Sequence, residues 1–348
     1  MSTLLARIVA SRLFWPVVML LALFLVNFLA FPGFFSISLR DGNLYGSLID
    51  ILRNGAPTLI VAIGMTLVIA TRGIDLSVGA VGAIAGAVAC SILLGSPDPA
   101  NPGTVTVAIL VALVIGVGCG LWNGLLVAVI GIQPIIATLI LMTAGRGIAM
   151  LITEGQILTV TSPPFKGLGS GFWFGVPIAI FVAAFIFIVA ALFTRRTALG
   201  LLIESVGINP EASRQAGVRA RGVLFAVYVF AAVCASVAGL ILTANTMAAD
   251  ANNVGLFIEL DAILAVVIGG TSLAGGKYSL AGTVVGALVI QTLVTTVYTV
   301  GISPVATMVF KAAVVIAVCL LQSPTTNAAL AGFRTKLALR AGKGVAAA

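Results

Sequence analysis

The sequence predicts an all-α, polytopic membrane protein with about ten transmembrane helices. Hydrophobic residues make up 61% of its 348 residues and charged residues only 8%, and the mean hydropathy is +1.23. A water-soluble domain of this size could not have so little charge on its surface. Apolar runs of roughly 20 residues, the length of a helix that crosses the hydrocarbon core, recur along the chain. A membrane β-barrel would instead show alternating polarity.

Glycine, proline and charged residues separate these apolar runs and mark their ends. We expect Asp75 to cap the third helix, because aspartate before an apolar run is a typical N-cap. The first run has the length of a full span, so we interpret it as a retained helix and not as a signal peptide. The predicted spans are 14–31, 56–70, 76–94, 105–130, 134–152, 172–193, 222–243, 258–274, 279–296 and 302–322.

Lysine and arginine placement predicts that both termini are cytoplasmic. With this orientation, thirteen of the eighteen basic residues lie on the inner side, as the positive-inside rule requires. The outer side has only Arg40, Arg53 and Lys166. The expected organisation is a cytoplasmic segment at 1–13, a transmembrane domain at 14–322 and a basic cytoplasmic tail at 323–348.

An arginine-rich segment at 194–222 stands out between two long apolar spans. It contains five arginines and two acidic residues, so we expect it on the cytoplasmic face as a docking surface for a partner protein. A proline disfavours helical geometry in the residue before it, which predicts a helix end at Asn209–Pro210; Gly207 would permit a turn. A solvated connecting loop is the alternative. The candidate docking residues are Glu204, Gly207, Asn209, Pro210 and Glu211.

Several kinds of chemistry are not expected. The chain has no histidine, and its cysteines, Cys90, Cys119, Cys234 and Cys319, lie in apolar runs without metal-ligand spacing, so neither a catalytic nor a metal site is predicted. The stretch 269–278 resembles a phosphate loop, but Thr271 replaces its first glycine and Tyr278 its final serine or threonine. The basic residues are too few and too dispersed for nucleic-acid binding.

Glycines repeat every four residues in three of the predicted spans, at Gly82 and Gly86, at Gly116, Gly120 and Gly124, and at Gly282 and Gly286. This spacing lets helix backbones approach closely in lipid. Tight static packing would account for it, and helices that slide during transport would use the same glycines.

Two sets of polar residues are candidates for contact with a solute. Arg146 and Lys311 fall within predicted spans, where a charge is costly unless it is paired or faces a cavity. A structural ion pair or snorkelling is as good an explanation for them as a pathway role. The outer segment with Asp250, Asn252, Asn253 and Glu259 could hydrogen-bond a solute or a delivering protein, although a solvated loop would have the same composition.

Three separated motifs resemble the ribose-type sugar ABC importer permeases, over about residues 14–322. They are Gly73-Ile-Asp-Leu-Ser-Val-Gly79, the Gly207-x-Asn209-x-x-Ala212 pattern with Ala216-Gly217, and the run from Glu259 to Gly276. Two further stretches, 41–52 and 249–256, resemble galactofuranose importer permeases more closely than ribose permeases. The chain departs from the family pattern at Arg72, where glycine is usual, and at Ser213, where alanine is common.

The resemblance implies the permease subunit of a monosaccharide importer in the bacterial inner membrane, among membrane lipids. The expected partners are an ABC ATPase that docks on the arginine-rich segment, a second permease copy or paralogue, and a periplasmic sugar-binding protein. ATP would be used by the partner subunit, and this chain would bind no cofactor.

A gradient-driven secondary transporter of a small polar solute is the alternative function. It would need titratable or ion-coordinating groups near the middle of the bilayer. The predicted spans contain no histidine and, outside their ends, no carboxylate, so this alternative is disfavoured.

We expect the purified chain to neither bind nor hydrolyse ATP, because its phosphate-loop lookalike lacks the first glycine and the final hydroxyl residue. Equilibrium binding of a fluorescent ATP analogue to the purified permease checks this. Nucleotide binding that Lys277→Ala abolishes would contradict it.

Overall fold

The computed structural model describes residues 13–301, 306, 309–313 and 316, and this part of the chain is mostly helical. The helices are α1 Phe14–Ala30, α2 Ser47–Ala70, α3 Val78–Leu94, α4 Pro102–Gly124, α5 Pro134–Ile152, α6 Pro163–Ser170, α7 Ile178–Arg196, α8 Leu199–Ile208, α9 Pro210–Gln215, α10 Ala220–Thr246, α11 Ile258–Ile268 and α12 Leu280–Thr299. A π-helical turn at Leu125–Ile130 extends α4.

Three two-stranded antiparallel pairs join the helices. Strands β1 (Ser38–Arg40) and β2 (Asn43–Tyr45) form a hairpin, with Leu39 opposite Leu44. Strand β3 (Leu158–Thr159) pairs with β6 (Ala248–Ala249), and β4 (Phe172–Trp173) pairs with β5 (Val176–Pro177).

The prediction of a mostly helical protein with several membrane spans is confirmed. Among the described residues, six helices are long and apolar enough to cross a membrane: α2, α4 with its π-helical extension, α5, α7, α10 and α12. Helices α1 and α3 are apolar but shorter, at 17 residues each. The chain divides into two compact units, Met1–Thr295 and Thr296–Ala348. Most of the predicted span 302–322 lies outside the described residues.

Three local predictions were wrong. The predicted span 172–193 begins with the β4–β5 hairpin, so its helix starts only at Ile178. The predicted span 258–274 is helical only as far as Ile268. Asp75 is not the cap of α3, because the helix begins at Val78 with Ser77 as the preceding residue. Asp75 Oδ1 instead accepts a hydrogen bond from the Ser77 backbone N–H at 2.9 Å.

Helix α10 is the centre of the first unit and packs against α2, α3 and α4. Gly82 of α3 lies against Ala235 and Gly239 of α10, and Gly86 lies against Thr243. The residue numbers at these contacts therefore increase together along both helices, which shows that α3 runs in the same direction as α10.

These contacts place the start of α3 level with the midpoint of α10. A 27-residue helix is about 40 Å long, and Gly82 faces positions just beyond its midpoint. The connection 71–77 must therefore run from the end of α2 back into the protein interior. Irregular backbone is tolerated at membrane depth only where protein surrounds it, and Thr71, Asp75 and Ser77 are buried.

Helix α11 also begins inside the protein. Gly79, in the first turn of α3, lies against Gly255 and Glu259, so the start of α11 is at the same depth. Its 11 residues give a length of about 17 Å, roughly half of the hydrocarbon core. Two helices, α3 and α11, thus have their N-termini close together in the interior.

The glycines of α4 allow a direct test of this packing. A Cβ at Gly120 would lie 2.7 Å from the Val229 Cα of α10, whereas nothing lies within 4 Å of a Cβ at Gly118. Gly120→Leu should destabilise the protein by about 1–3 kcal/mol or more through overpacking, and Gly118→Leu should have little effect. Melting temperatures in detergent check the pair, and equal melting temperatures would contradict the close α4–α10 contact.

Candidate functional site

A junction of charged and backbone groups lies where α3 and α11 begin. The Arg146 guanidinium, on α5, donates to the carbonyl oxygens of Ala251 at 2.9 Å and Val254 at 2.7 Å. A Cβ at Gly79 would be 2.5 Å from the Gly255 carbonyl oxygen and 2.6 Å from Glu259 Oε2. The structure therefore brings Arg146 together with the segment 250–259, which the sequence had suggested only as separate candidates.

Arg146 forms no salt bridge within the described residues, where the salt bridge found is Arg214–Glu211. Its guanidinium still lies within reach of the charges of Glu259 and Asp250. Glu259 is only 4% exposed and stands in the first turn of α11. Burial disfavours the charged carboxylate, and the helix dipole at the N-terminus of α11 and the charge of Arg146 oppose that effect.

Asp250 holds a tight turn at the outer edge of the junction. Its Oδ1 accepts the backbone N–H groups of Asn252 at 3.0 Å and Asn253 at 3.2 Å, and its Oδ2 accepts the Asn253 side-chain amide at 2.7 Å. The hydrogen bond from Asn253 contributes most to holding the pKa of Asp250 below its usual value. Asn252 and Asn253 are exposed, and the Asn253 amide nitrogen is already bonded to Asp250.

A buried polar group beside the start of α3 was missed by sequence reasoning. Asp75 is 1% exposed, and its Oδ1 accepts the Ser77 hydroxyl at 2.6 Å, while Asn123 donates to that hydroxyl at 2.8 Å. Asp75 Oδ2, Asn123 Oδ1 and the Tyr228 hydroxyl have no hydrogen-bond partner. Such groups are costly to bury. The available signal was Asn123, a polar residue within a long apolar run.

The arginine-rich segment folds as two short helices, α8 and α9, before α10 begins. The predicted helix end at Asn209–Pro210 is confirmed, because α8 stops at Ile208 and Pro210 is the first residue of α9. Asn209 Oδ1 caps α9 by accepting the backbone N–H groups of Glu211 at 3.1 Å and Ala212 at 3.0 Å. Helix α9 therefore begins at a defined residue directly after α8.

The outward face of α9 is polar and exposed. Glu211 and Arg214 form a salt bridge of 2.6 Å on this face. The Arg214 hydrogen bond lowers the pKa of Glu211, and the same bond raises the pKa of Arg214. Asn209, Pro210 and Glu211, three of the five predicted docking residues, lie on this exposed surface.

Gly207 does not form the predicted turn. It lies inside α8 and is buried, and a Cβ there would overlap the Ala70 carbonyl oxygen at the end of α2. That same oxygen accepts the Gly276 backbone N–H at 2.8 Å. The absence of a side chain lets α8 sit directly on the end of α2 and on the connection 269–279.

Arg72 ties the same three elements together. Its Nε donates to the Ala274 carbonyl oxygen at 3.1 Å, and a second N–H of its guanidinium donates to the Ile208 carbonyl oxygen at the end of α8. Its backbone has a φ of 63°, in the left-handed region that glycine adopts more easily. Arg72 thus links the connection that leads to α3, the end of α8 and the connection between α11 and α12.

Two predicted residues lie elsewhere. Glu204 is half-buried and faces a cavity that it shares with Arg195 and Tyr278, so it lies beside the exposed surface of α9 and not on it. Lys311 belongs to the second unit, in the helical residues 309–313, where it is half-buried.

Comparison with known proteins gives a consistent result. The family model described as "Branched-chain amino acid transport system / permease component" matches residues 47–319. The galactofuranose transporter permease of Escherichia coli K12 is 48% identical over 330 residues, 93% of this chain and 95% of the relative. The fructose import permease of Bifidobacterium longum is 43% identical over 348 residues, 98% of this chain and 96% of the relative.

A third relative is more distant. The ribose import permease of E. coli K12 is 36% identical over 296 residues, 84% of this chain and 88% of the relative. No solved structure matches the chain.

Proposed function

The chain belongs to the permease family described as a branched-chain amino acid transport system permease component, and we propose that it is the membrane-spanning subunit of an ABC importer for a monosaccharide. Three import permeases for sugars align with at least 84% of its length, and this similarity carries the proposal. Galactofuranose is the first substrate to test, because the E. coli galactofuranose permease is 48% identical.

The arginine-rich segment is the proposed docking surface for the ABC ATPase, which would bind and hydrolyse the ATP. Asn209, Pro210 and Glu211 would contact the ATPase on the exposed face of α9. Gly207 and Glu204 would support that face from behind, where α8 meets the end of α2. ATP can shift the permease between states only if the ATPase prefers one state through these contacts.

The junction at α3 and α11 is the proposed transport site. Discontinuous helices that begin near the middle of the membrane place backbone N–H groups and charged side chains where a polar solute must pass. Arg146 and Glu259 would line this part of the path. Asp250, Asn252 and Asn253 would face the outer side, where a periplasmic sugar-binding protein delivers its sugar. Lys311 is a further candidate for an intramembrane contact.

The proposed assembly is a pair of permeases in the bacterial inner membrane, formed with a second copy or a paralogue. Ten spans would place both termini in the cytoplasm. The organisation would be a cytoplasmic segment at 1–13, the transmembrane domain at 14–322 and a basic tail at 323–348. The opposite directions of α2 and α12 are compatible with this topology, because Thr66 of α2 bonds Thr283 of α12 at 2.7 Å while Gly55 contacts Gln291.

The coupling proposal predicts the effect of a side chain at Gly207. Gly207→Val should push α8 away from the Ala70 carbonyl oxygen, so uptake should fall at least about tenfold while the permease stays in the membrane. Proteoliposomes with the ATPase and binding protein of neighbouring genes give both sugar uptake and stimulated ATP hydrolysis. Gly118→Val is the matched control, because a side chain there meets nothing within 4 Å.

Three outcomes would count against these proposals. Normal coupling in Gly207→Val would remove α8 from the mechanism. Uptake by the wild type that ignores ATP but follows a proton or sodium gradient would favour the secondary transporter. ATP-driven uptake of some other solute class would keep the ABC mechanism and overturn the sugar.

The outer segment gives a second test. Asn252→Ala with Asn253→Ala should reduce uptake several-fold without lowering membrane expression, because exposed amides that bind sugar or the binding protein would be lost. Cysteine in place of Asp250, in a variant without native cysteines, should react with a membrane-impermeant thiol reagent from the periplasm. Reaction only from the cytoplasm would overturn the topology, and normal uptake would leave the asparagines as a connecting loop.

A further inference from the structure

A polar cavity of about 280 Å³ lies where the end of α7, helix α8 and the start of α12 meet. Arg195 and Glu204 both line it, together with Tyr278 and Ser279. The Tyr278 hydroxyl lies within reach of the charges of both Glu204 and Arg195. The cavity therefore has a cationic and an anionic side chain close to one phenol group.

These two opposite charges do not neutralise each other directly. Among the described residues the salt bridge found joins Arg214 and Glu211, so Arg195 and Glu204, which both line the cavity, are not paired with each other. An anion alone would meet Arg195 but would be repelled by Glu204. A ligand with both a phosphate and an ammonium group would complement both side chains.

An apolar groove of about 330 Å³ lies between α2, α7 and α12. Leu280 lines the cavity, and the next residue, Ala281, lines the groove. On α7, Ile180 and Phe187 line the groove, and Thr194 lines the cavity. Their spacing of seven residues is two helical turns, so they share one face of α7.

The groove lies within reach of an acyl chain. Phe187 and Ile180 lie about 12 and 22 Å along α7 from Arg195, at 1.5 Å per residue. One leaflet of the hydrocarbon core is about 15 Å thick, so a chain whose head group lies at Arg195 reaches the inner end of the groove. The polar cavity at the end of α7 and this apolar groove together suit a membrane lipid.

We propose that this cavity and groove bind one phospholipid with a primary amine in its head group, such as phosphatidylethanolamine. The phosphate contacts Arg195, the ammonium donates to Glu204, and one acyl chain fills the groove between α7 and α12. Phosphatidylcholine lacks the ammonium N–H groups needed by Glu204, and phosphatidylglycerol lacks the cation. The lipid head group then lies directly against α8, within the first half of the arginine-rich segment.

Native mass spectrometry of the full-length permease, delipidated in detergent, tests the site. Phosphatidylethanolamine, phosphatidylglycerol and phosphatidylcholine with identical acyl chains are titrated separately. We expect the wild type to bind phosphatidylethanolamine about tenfold more tightly than the other two, as hydrogen bonds to charged groups allow. This measurement needs no partner protein, so it is independent of the proposed transport function.

Three variants and one control separate the contacts. Arg195→Gln should weaken all three lipids about tenfold, because each carries a phosphate, and the nearly isosteric Glu204→Gln should remove the preference for phosphatidylethanolamine over phosphatidylglycerol. Ala184→Trp fills the groove from an exposed position and should weaken all three lipids. Arg196→Gln, at the exposed arginine next to Arg195, should change nothing.

Two results would overturn the proposal. Equal binding of the three lipids by the wild type, or equal losses in Arg195→Gln and Arg196→Gln, would show only general attraction to the membrane surface. A permease dimer that Ala184→Trp dissociates, with lipid binding unchanged, would show that a second copy occupies the groove. Melting temperatures identify any variant that fails to fold, and Glu204→Gln alone then decides the head-group preference.

Discussion

The structure depends on satisfying polar backbone at membrane depth. Thr71, Asp75 and Ser77 of the connection 71–77 are buried, and in the connection 250–257, whose Asn252 and Asn253 are exposed, Ala251 is buried. Water does not replace a hydrogen bond that is lost at such buried positions. Side chains take over that role: Asp75 receives the Ser77 backbone N–H, Thr138 donates to the Ile74 carbonyl oxygen, and Arg146 serves two carbonyl oxygens of the second connection. The polar residues that look functional are therefore also the ones that make broken helices possible.

Helix α10 makes this arrangement compact. Its small residues let α3 and α4 approach so closely that glycine is needed on the facing helices, as at Gly82 and Gly120. In lipid, contacts of this kind replace the hydrophobic driving force that would associate helices in water. Because α10 follows α9 after only four residues, a displacement of the proposed docking surface would be passed to the central helix of the first unit.

Hydropathy predicted the continuous spans well, because a helix surrounded by lipid must be apolar along its whole length. The run at 134–152 coincides with α5. It failed for α11, because the helix ends at Ile268 and the residues that follow, Gly-Gly-Thr-Ser-Leu-Ala at 269–274, form turns. The predicted span was extended through these glycines and hydroxyl residues, which favour turns. The Gly207 prediction failed for the opposite reason: glycine was read as a turn residue, whereas its use here is to admit a neighbouring carbonyl oxygen.

The site was predictable residue by residue but not as a group. The sequence identified Arg146 and Glu259 as candidates, and their proximity depends on the return of 250–257 into the interior, which no local pattern encodes. Asp75 and Asn123 are 48 residues apart, so a pairing of this kind is visible only in three dimensions.

Arg72 makes the separation of α8 from its neighbours cost free energy. A non-glycine residue in the left-handed region costs roughly 1 kcal/mol, and its two side-chain hydrogen bonds offset that cost only while α8 and Ala274 stay in place. If α8 moved away, the unfavourable backbone would remain and the bond to Ile208 would be lost. Arg72 therefore adds to the free energy needed to separate α8 from the end of α2, an addition that a glycine at this position would not make.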